Sequence, residues 1–240
     1  MRIPAIRGAI DRRVLVNYRI DAAVVAKLLP KPFEPQIVDG YAIGGVCLIR
    51  LKSLRPSVMP MPWGFGSENA AYRFAVEWDE AGERRRGVYI PRRDTSSRIV
   101  AFTGGRVFPG VHHLADFEVT ETDSDFSIRI RSRDRSTEMG IEGSVANGWP
   151  SGSLFPTLEA ASDFFREGSL GYSATHDDNR LDGLELRCTD WRVEPFVANN
   201  VESSYFEDTS IFPPGSIEYD GALLMRGIDH EWHSREDLRR

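Results

Sequence analysis

The feature that most constrains this chain is a succession of short strand-like runs, with only two segments that are typical of helices. Residues 41–51 and 72–78 are two of these runs, because they are rich in β-branched residues or alternate apolar with polar ones. The helix-like segments are 22–29, with Asp21 as its N-cap, and 158–167. This pattern predicts a mainly β (α+β) protein, in which an antiparallel sheet curls or closes and a few short helices lie outside it.

Composition limits the class of protein and its partners. The 240 residues show no internal repeat or linker, and 41% of them are hydrophobic, so we expect one domain spanning residues 1–240. A net charge of −6 argues against a nucleic-acid binder, which needs a basic surface. No apolar stretch approaches the roughly 20 residues of a membrane span, and the N-terminus lacks a signal-peptide core. Two cysteines, Cys47 and Cys188, are too few for a disulfide framework, so we expect reduced thiols and a cytoplasmic location.

One loop of the sequence is a candidate for chemistry. Segment 104–113 reads GGRVFPGVHH and follows a strand-like run at 98–102. Its glycines permit turns that other residues resist, and Pro109 stiffens the bend before the adjacent His112 and His113. Tight loops that follow strands are common positions for functional groups. The sequence therefore predicts that this loop belongs to the functional site.

Several motifs, in order and spacing, resemble the acetoacetate decarboxylase-like superfamily, and most closely its YqjF-like branch, a domain of unknown function. The matching segments are 13–21, Leu28-Leu29-Pro30, 39–42, 87–91, Gly105-Arg106, 164–167 and 191–195. The resemblance spans roughly residues 10 to 233. It implies a single curved antiparallel sheet that forms a conical barrel and encloses an apolar pocket for a small molecule.

The resemblance also bears on mechanism. In acetoacetate decarboxylases a Gly-Arg-Glu motif and a following Pro-Lys-Lys motif carry the active site, and the first lysine forms a Schiff base with a β-keto acid. Here Val107 replaces the glutamate, and His112 and His113 occupy the lysine region, with His113 nearest to the nucleophile position. The three lysines of the chain fall in other segments. We therefore expect neither Schiff-base decarboxylation nor a cofactor.

Four residues are candidates for catalysis. His113 and His112 titrate near neutral pH and can act as general acid and base. Adjacent residues on a strand face opposite sides, so only one is expected in the cavity. The alternative is that both only form hydrogen bonds in the loop. Arg106 can pair with a substrate carboxylate, or it can form a salt bridge that supports the loop. Glu68 resembles an active-site glutamate of the decarboxylases, and the alternative is a solvated loop carboxylate.

The candidates for substrate binding are Arg13, Phe108 and Trp63. For Arg13 the register leaves Arg12 as an alternative, and Arg13 can also be simply a charged residue before an edge strand. Trp63 can line the cavity mouth or belong to a lid that packs on the barrel. Segment 230–233, which reads HEWH, would place two metal ligands on one helical turn, but a site generally needs a third protein ligand. We therefore predict no metal site.

These residues favour a small-molecule enzyme of the lyase type, including dehydratases and cyclases. Such an enzyme would act on a carbonyl or carboxylate compound by acid/base catalysis, without a Schiff base. The alternative is a non-catalytic barrel that binds a hydrophobic ligand, and a third hypothesis is a structural protein whose cavity is filled by its own side chains. The expected partner is a small molecule, with no nucleic acid and no membrane, and a homo-oligomer stays open.

Overall fold

A computed structural model describes residues 5–57, 64–105 and 108–239 of the chain. Most of the described residues belong to one sheet of 13 strands. In chain order the strands are β1 (Ala5–Asp21), β2 (Glu34–Pro35), β3 (Ile37–Val38), β4 (Tyr41–Pro56), β5 (Phe65–Glu80), β6 (Glu83–Thr95), β7 (His112–Glu121), β8 (Asp125–Ser132), β9 (Glu138–Val145), β10 (Leu170–Ala174), β11 (Arg180–Cys188), β12 (Glu194–Ser203) and β13 (Ile217–Arg239). The helices are α1 (Ala22–Leu28), α2 (Arg98–Thr103) and α3 (Leu158–Glu167).

The sheet closes on itself twice. Strands β13, β1, β4, β5 and β6 are neighbours in that order, and they belong to both closed rings. Strands β10 and β11 complete a ring of seven, whereas β7, β8, β9 and β12 complete a ring of nine. The expected curved sheet with short helices is confirmed. It is antiparallel except where β6 pairs in parallel with β7 and with β10.

The five shared strands are buried on both faces. On β5, Tyr72 and Phe74 pack inside the nine-stranded ring, and Ala71 and Ala75 pack inside the seven-stranded ring. Large aromatic side chains fill much of the nine-stranded ring. They include Tyr18, Tyr72, Phe74, Phe126, Phe196, Phe206 and Phe212. The side chains inside the seven-stranded ring leave a space between them.

Two of the three helices were predicted from their end signals. The carboxylate of Asp21 accepts a hydrogen bond from the backbone N–H of Ala23 over 2.8 Å and caps α1. Helix α3 begins after Thr157 and ends before Gly168, and it packs Phe165 against the core of the seven-stranded ring. No described helix is long and apolar enough to cross a membrane.

The prediction of a strand-like run at 98–102 was wrong, because this segment forms α2. The hydroxyl of Ser97 caps the helix by accepting a hydrogen bond from the backbone N–H of Val100 over 3.3 Å. Val100 is the buried residue of the helix, whereas Ile99 and Phe102 are exposed. Composition favoured a strand here, and the cap together with one buried contact selected a helical turn instead.

Candidate functional site

The seven-stranded ring contains a cavity of about 130 Å³. Every strand of this ring contributes lining residues. Much of the wall is apolar, with side chains such as Ile49, Leu51, Leu54, Ile90 and Leu184. A cavity of about 150 Å³ is large enough to hold benzene, so this space suits a small organic molecule.

Arg73 is the most deeply buried cation of the cavity. It is 4% exposed, and its Nη2 donates a hydrogen bond to Oδ1 of Asn17 over 2.5 Å. Its guanidinium lies 4.9 Å from the centre of the Phe165 ring, a cation–π distance. Burial lowers the pKa of Arg73 to about 10, so the side chain is still charged at neutral pH.

Arg13 faces the same cavity from β1. Its Nε donates to Sγ of Cys47 over 3.2 Å, and its Nη1 lies 3.7 Å from Sδ of Met225. Its guanidinium is 5.6 Å from the centre of the Trp191 ring. Within the described parts of the chain, no ion pair joins Arg13 or Arg73 to a carboxylate. Both cations therefore lie in the cavity without a paired carboxylate among the described residues.

Arg93, on β6, is the third cation that lines the cavity. Its Nε donates to the hydroxyl of Ser173 over 3.0 Å. Burial lowers the pKa of Arg93 to about 10, although the nearby Asp182 partly opposes this. Asp94 is the acidic residue of the described lining, and it already pairs with Arg92 over 2.8 Å. The three guanidinium groups thus make the cavity attractive to an anion.

The loop before β7 positions His112. Gly110 has φ +81°, and a Cβ built there would lie 2.6 Å from the Cβ of Ser173, so the turn requires glycine. The backbone N–H of Gly110 donates to Oδ2 of Asp182 over 2.9 Å, which fixes the turn. Nδ1 of His112 lies 3.0 Å from the carbonyl oxygen of Gly110. Nδ1 therefore carries the proton, and Nε2 carries the free lone pair.

His112 lines the cavity as a neutral imidazole. Burial is the main cause that lowers the pKa of His112, to about 3, and the positive charge of Arg93 acts in the same direction. The ring is therefore neutral at physiological pH, and while the cavity holds no anion Nε2 is only a weak base.

His113 faces the opposite side of β7. Its Nδ1 lies 2.9 Å from Oδ2 of Asp134, a carboxylate that also pairs with Arg92 over 3.1 Å. The structure thus places one histidine of the adjacent pair in the cavity, and that residue is His112. The sequence had instead put His113 nearest to the nucleophile position. The alternation of side chains along a strand explains the separation.

Glu68 lies away from the cavity, in a network of charged side chains. Its neighbours Ser67 and Asn69 line the cavity, so Glu68 faces the other side of β5. There it accepts from Nη2 of Arg12 over 2.6 Å and from Nε of Arg50 over 2.5 Å. Arg12 and Arg50 also pair with Glu121. The register that the sequence left open is therefore resolved, with Arg13 in the cavity and Arg12 in this network.

Three further sequence candidates have different outcomes. Phe108 lines the cavity and makes an edge-to-face contact with Phe65, with ring centres 6.3 Å apart. Arg106 and Trp63 lie outside the described residues. Segment 230–233 is a strand rather than a helical turn, and the described residues contain no group of three potential metal ligands.

Comparison with known proteins identifies the family. The model of the family DUF2071, described as "Uncharacterized conserved protein (COG2071)", matches residues 9–223. The chain belongs to DUF2071. No curated protein sequence matches it significantly.

The fold of this DUF2071 member is similar to that of solved acetoacetate decarboxylase-like enzymes, as the resemblance implied. Acetoacetate decarboxylase from Legionella pneumophila is 11% identical with a TM-score of 0.62, covering 97% of this chain and 87% of that one. An acetoacetate decarboxylase-like enzyme from Sphingomonas wittichii RW1 is 12% identical with a TM-score of 0.58, and the match covers 100% of this chain and 94% of that one. The enduracididine biosynthesis enzyme MppR, complexed with pyruvate, is 11% identical with a TM-score of 0.57, and the match covers 100% of this chain and 91% of that one. At these identities the similarity concerns the fold.

The three lysines of this DUF2071 chain lie on the surface of the described structure. Lys27 and Lys31 are exposed, on α1 and in the turn that follows it. Lys52 is 58% exposed, and its Nζ pairs with Oδ1 of Asp11 over 2.8 Å. None of the three is among the residues that line the cavity.

Sequence reasoning missed Arg73 and Arg93. Segment 72–78 was interpreted as a half-buried strand, and such an alternation is typical of one buried and one solvated face. The face that carries Arg73 instead looks into the cavity, because β5 belongs to both rings. The available signal was a lone charged residue between small apolar ones, Ala71 and Ala75, on the second face of the strand.

Proposed function

We propose that this DUF2071 protein binds a small oxo-carboxylate in the cavity and transfers a proton at the carbon next to its carbonyl group. The observation that carries the proposal is the pair of cations, Arg13 and Arg73, that lie inside an apolar cavity without a carboxylate partner. Burying an uncompensated charge is costly, and a bound carboxylate would supply the missing countercharge. The fold neighbour MppR is complexed with pyruvate, a compound of this class.

His112 is the base in this proposal. Its ring is neutral, and its Nδ1–H is held by the carbonyl of Gly110, which leaves Nε2 to accept a proton. Removal of a proton from the carbon next to a carbonyl group produces an enolate, whose negative charge the arginines would stabilise. The same anion favours protonated His112, so ligand binding raises the pKa of this histidine. Dehydration, enolisation and cyclisation can all begin with this step.

The reaction that we propose needs no Schiff base. Imine formation requires an unprotonated primary amine at the substrate carbonyl, and the three lysines lie outside the cavity lining. Borohydride treatment with acetoacetate should therefore leave the protein unlabelled. Covalent trapping on Lys27, Lys31 or Lys52 would contradict this mechanism.

Deuterium exchange tests the proton transfer without knowledge of the natural product. Pyruvate is incubated with the protein in D₂O, and the loss of its methyl proton signal is followed by NMR. We expect His112→Gln to slow the enzyme-dependent exchange by about 100-fold or more, the usual contribution of a general base. His113→Gln is the matched control, because the adjacent ring faces away from the cavity, and it should leave the rate unchanged. An equal loss in both variants, or no loss in His112→Gln, would refute the role of His112.

The second candidate function is a non-catalytic binder of a hydrophobic ligand. The observation that favours it is the largely apolar wall formed by residues such as Ile49, Leu51 and Leu184. A binder of this kind would show no enzyme-dependent exchange of the pyruvate methyl protons. It would also retain uncharged apolar ligands in native mass spectrometry, whereas the proposed enzyme should prefer carboxylates.

A further inference from the structure

Cys47 lies among the cationic side chains of the cavity. It is on β4, it is 7% exposed, and it lines the cavity. Its Sγ accepts a hydrogen bond from Nε of Arg13 over 3.2 Å. A negative charge on this sulfur would also interact favourably with Arg73 and Arg93. A nucleophilic atom is therefore held where the cavity attracts anions.

A second observation points to an anionic ligand beside this sulfur. Arg73 is almost fully buried and lines the same cavity, yet its Nε–H has no hydrogen-bond partner in the described structure. Its other contacts, the amide oxygen of Asn17 and the ring of Phe165, carry no charge. A carboxylate oxygen that entered the cavity would satisfy this donor and neutralise the cation.

We infer that Cys47 is a nucleophile toward small carboxylates that carry an electrophilic carbon, a role that rests on the anion site of the proposed function. With a 2-oxo acid, the thiol would add across the carbonyl group and form a reversible thiohemiketal. The sulfur–carbon bond forms, the carbonyl π bond breaks, and the thiol proton moves to the oxygen. No oxidant, reductant or further reactant is needed.

Iodoacetate and iodoacetamide are suitable probes, because they differ in charge and share one reaction. In both, a sulfur–carbon bond forms, the carbon–iodine bond breaks, iodide leaves with the electron pair, and the thiol proton goes to solvent. Cys188 is an internal control within the same molecule. It is half-buried on β11 and lies outside the described lining of the cavity. Burial raises the pKa of its thiol, although the positive charge of Arg13 partly opposes this.

The experiment measures the alkylation rate of each cysteine in the folded protein by peptide mass spectrometry. We expect the rate ratio of iodoacetate to iodoacetamide to be at least about tenfold higher at Cys47 than at Cys188, because the guanidinium groups concentrate the anion. Pyruvate should slow the iodoacetate reaction at Cys47 and leave Cys188 unaffected. Arg73→Gln should lower the rate ratio of iodoacetate to iodoacetamide at Cys47, which is the charge preference of this site. Cys188→Ser should retain that ratio at Cys47.

The outcomes separate this inference from the proposed function. Equal rate ratios at the two cysteines, or alkylation of Cys188 without alkylation of Cys47, would overturn the role of Cys47. If pyruvate still exchanges its methyl protons in that case, the proposed function stands without it. A charge preference at Cys47 in a protein that neither binds pyruvate nor exchanges its protons would support the nucleophile and reject the proposed reaction.

Discussion

Arg73 is a buried cation that should reduce stability, and in the proposed function it binds the substrate carboxylate. Its side chain is buried beside Asn17 and Phe165, neither of which compensates its charge. Its lowered pKa has burial as the main cause, and the positive charge of Arg13 contributes in the same direction. Residues that reduce stability in the empty state often belong to functional sites, because a ligand supplies the missing interaction.

The substitution Arg73→Met tests this balance. Removal of the charge should weaken pyruvate binding by roughly 10- to 100-fold, since hydrogen bonds between charged groups contribute about 1.5–3 kcal/mol. The free energy of unfolding should stay the same or rise, because an uncompensated buried charge is replaced by an apolar side chain of similar length. NMR titration with pyruvate and urea denaturation measure the two quantities.

Arg129→Met is the matched control for this substitution. Arg129 is exposed on β8 and pairs with Glu142 over 2.9 Å at the surface. Its removal should leave both the free energy of unfolding and pyruvate binding close to the wild-type values. Unchanged pyruvate affinity in Arg73→Met would show that this guanidinium is not part of the anion site.

At the scale of the element, the ends of helices α1 and α3 could be predicted from the sequence, whereas the helical conformation of segment 98–102 could not. Asp21 before α1 and Gly168 after α3 act within one helical turn, so the sequence alone predicted both helices. Residues 98–102 have a composition typical of a strand, but Ser97 caps them as a helix. A serine three residues before the N–H that it caps can be recognised in a sequence. Whether the capped segment forms a helix also depends on how Val100 packs against the core, which the sequence does not show.

The turn at Gly110 is the element that sets the position of His112. Gly110→Ala should lower the free energy of unfolding by about 3 kcal/mol or more, because left-handed strain of about 1–2 kcal/mol adds to a clash with Ser173. It should also slow the exchange of pyruvate protons, because His112 is two residues away. Urea denaturation and the NMR exchange assay provide the measurements.

Gly215→Ala separates strain from the clash. Gly215 has φ +82°, close to that of Gly110, but a Cβ built there meets no atom within 4 Å. In this variant the free energy of unfolding should fall by only about 1–2 kcal/mol, and the exchange of pyruvate protons should keep its wild-type rate. Equal effects of the two substitutions would mean that the contact between Gly110 and Ser173 does not position the loop.

At the scale of the whole molecule, the double ring explains what the sequence could and could not predict. Alternation of apolar and polar residues indicated a strand at 72–78, and this was right for the backbone. The same alternation is ordinarily taken to mean one dry and one solvated face. In this fold β5 separates a filled core from a cavity, so the face of the strand that carries Arg73 lines the cavity. This face is enclosed only because β10 and β11, which are distant in the sequence, close the seven-stranded ring over it.

The charged network at Arg12 connects strands of the nine-stranded ring. Arg12 on β1 and Arg50 on β4 both pair with Glu68 on β5 and with Glu121 on β7. Arg12 is 2% exposed, so the loss of an acidic partner would leave a buried charge only partly compensated. This arrangement indicates that Glu68 stabilises the ring, whereas the sequence had suggested catalysis.

Glu68→Gln distinguishes the two roles of this residue. We expect the free energy of unfolding to fall by about 2–3 kcal/mol, because Arg12 and Arg50 lose part of their countercharge. The exchange of pyruvate protons, measured well below the unfolding transition, should stay near the wild-type rate because Glu68 faces away from the cavity. Glu142→Gln, which breaks a surface pair with Arg129, should change the free energy of unfolding far less than Glu68→Gln does. If Glu68→Gln abolished exchange while stability was unchanged, the carboxylate would have to reach the substrate, and the assignment of the cavity to the seven-stranded ring would be wrong.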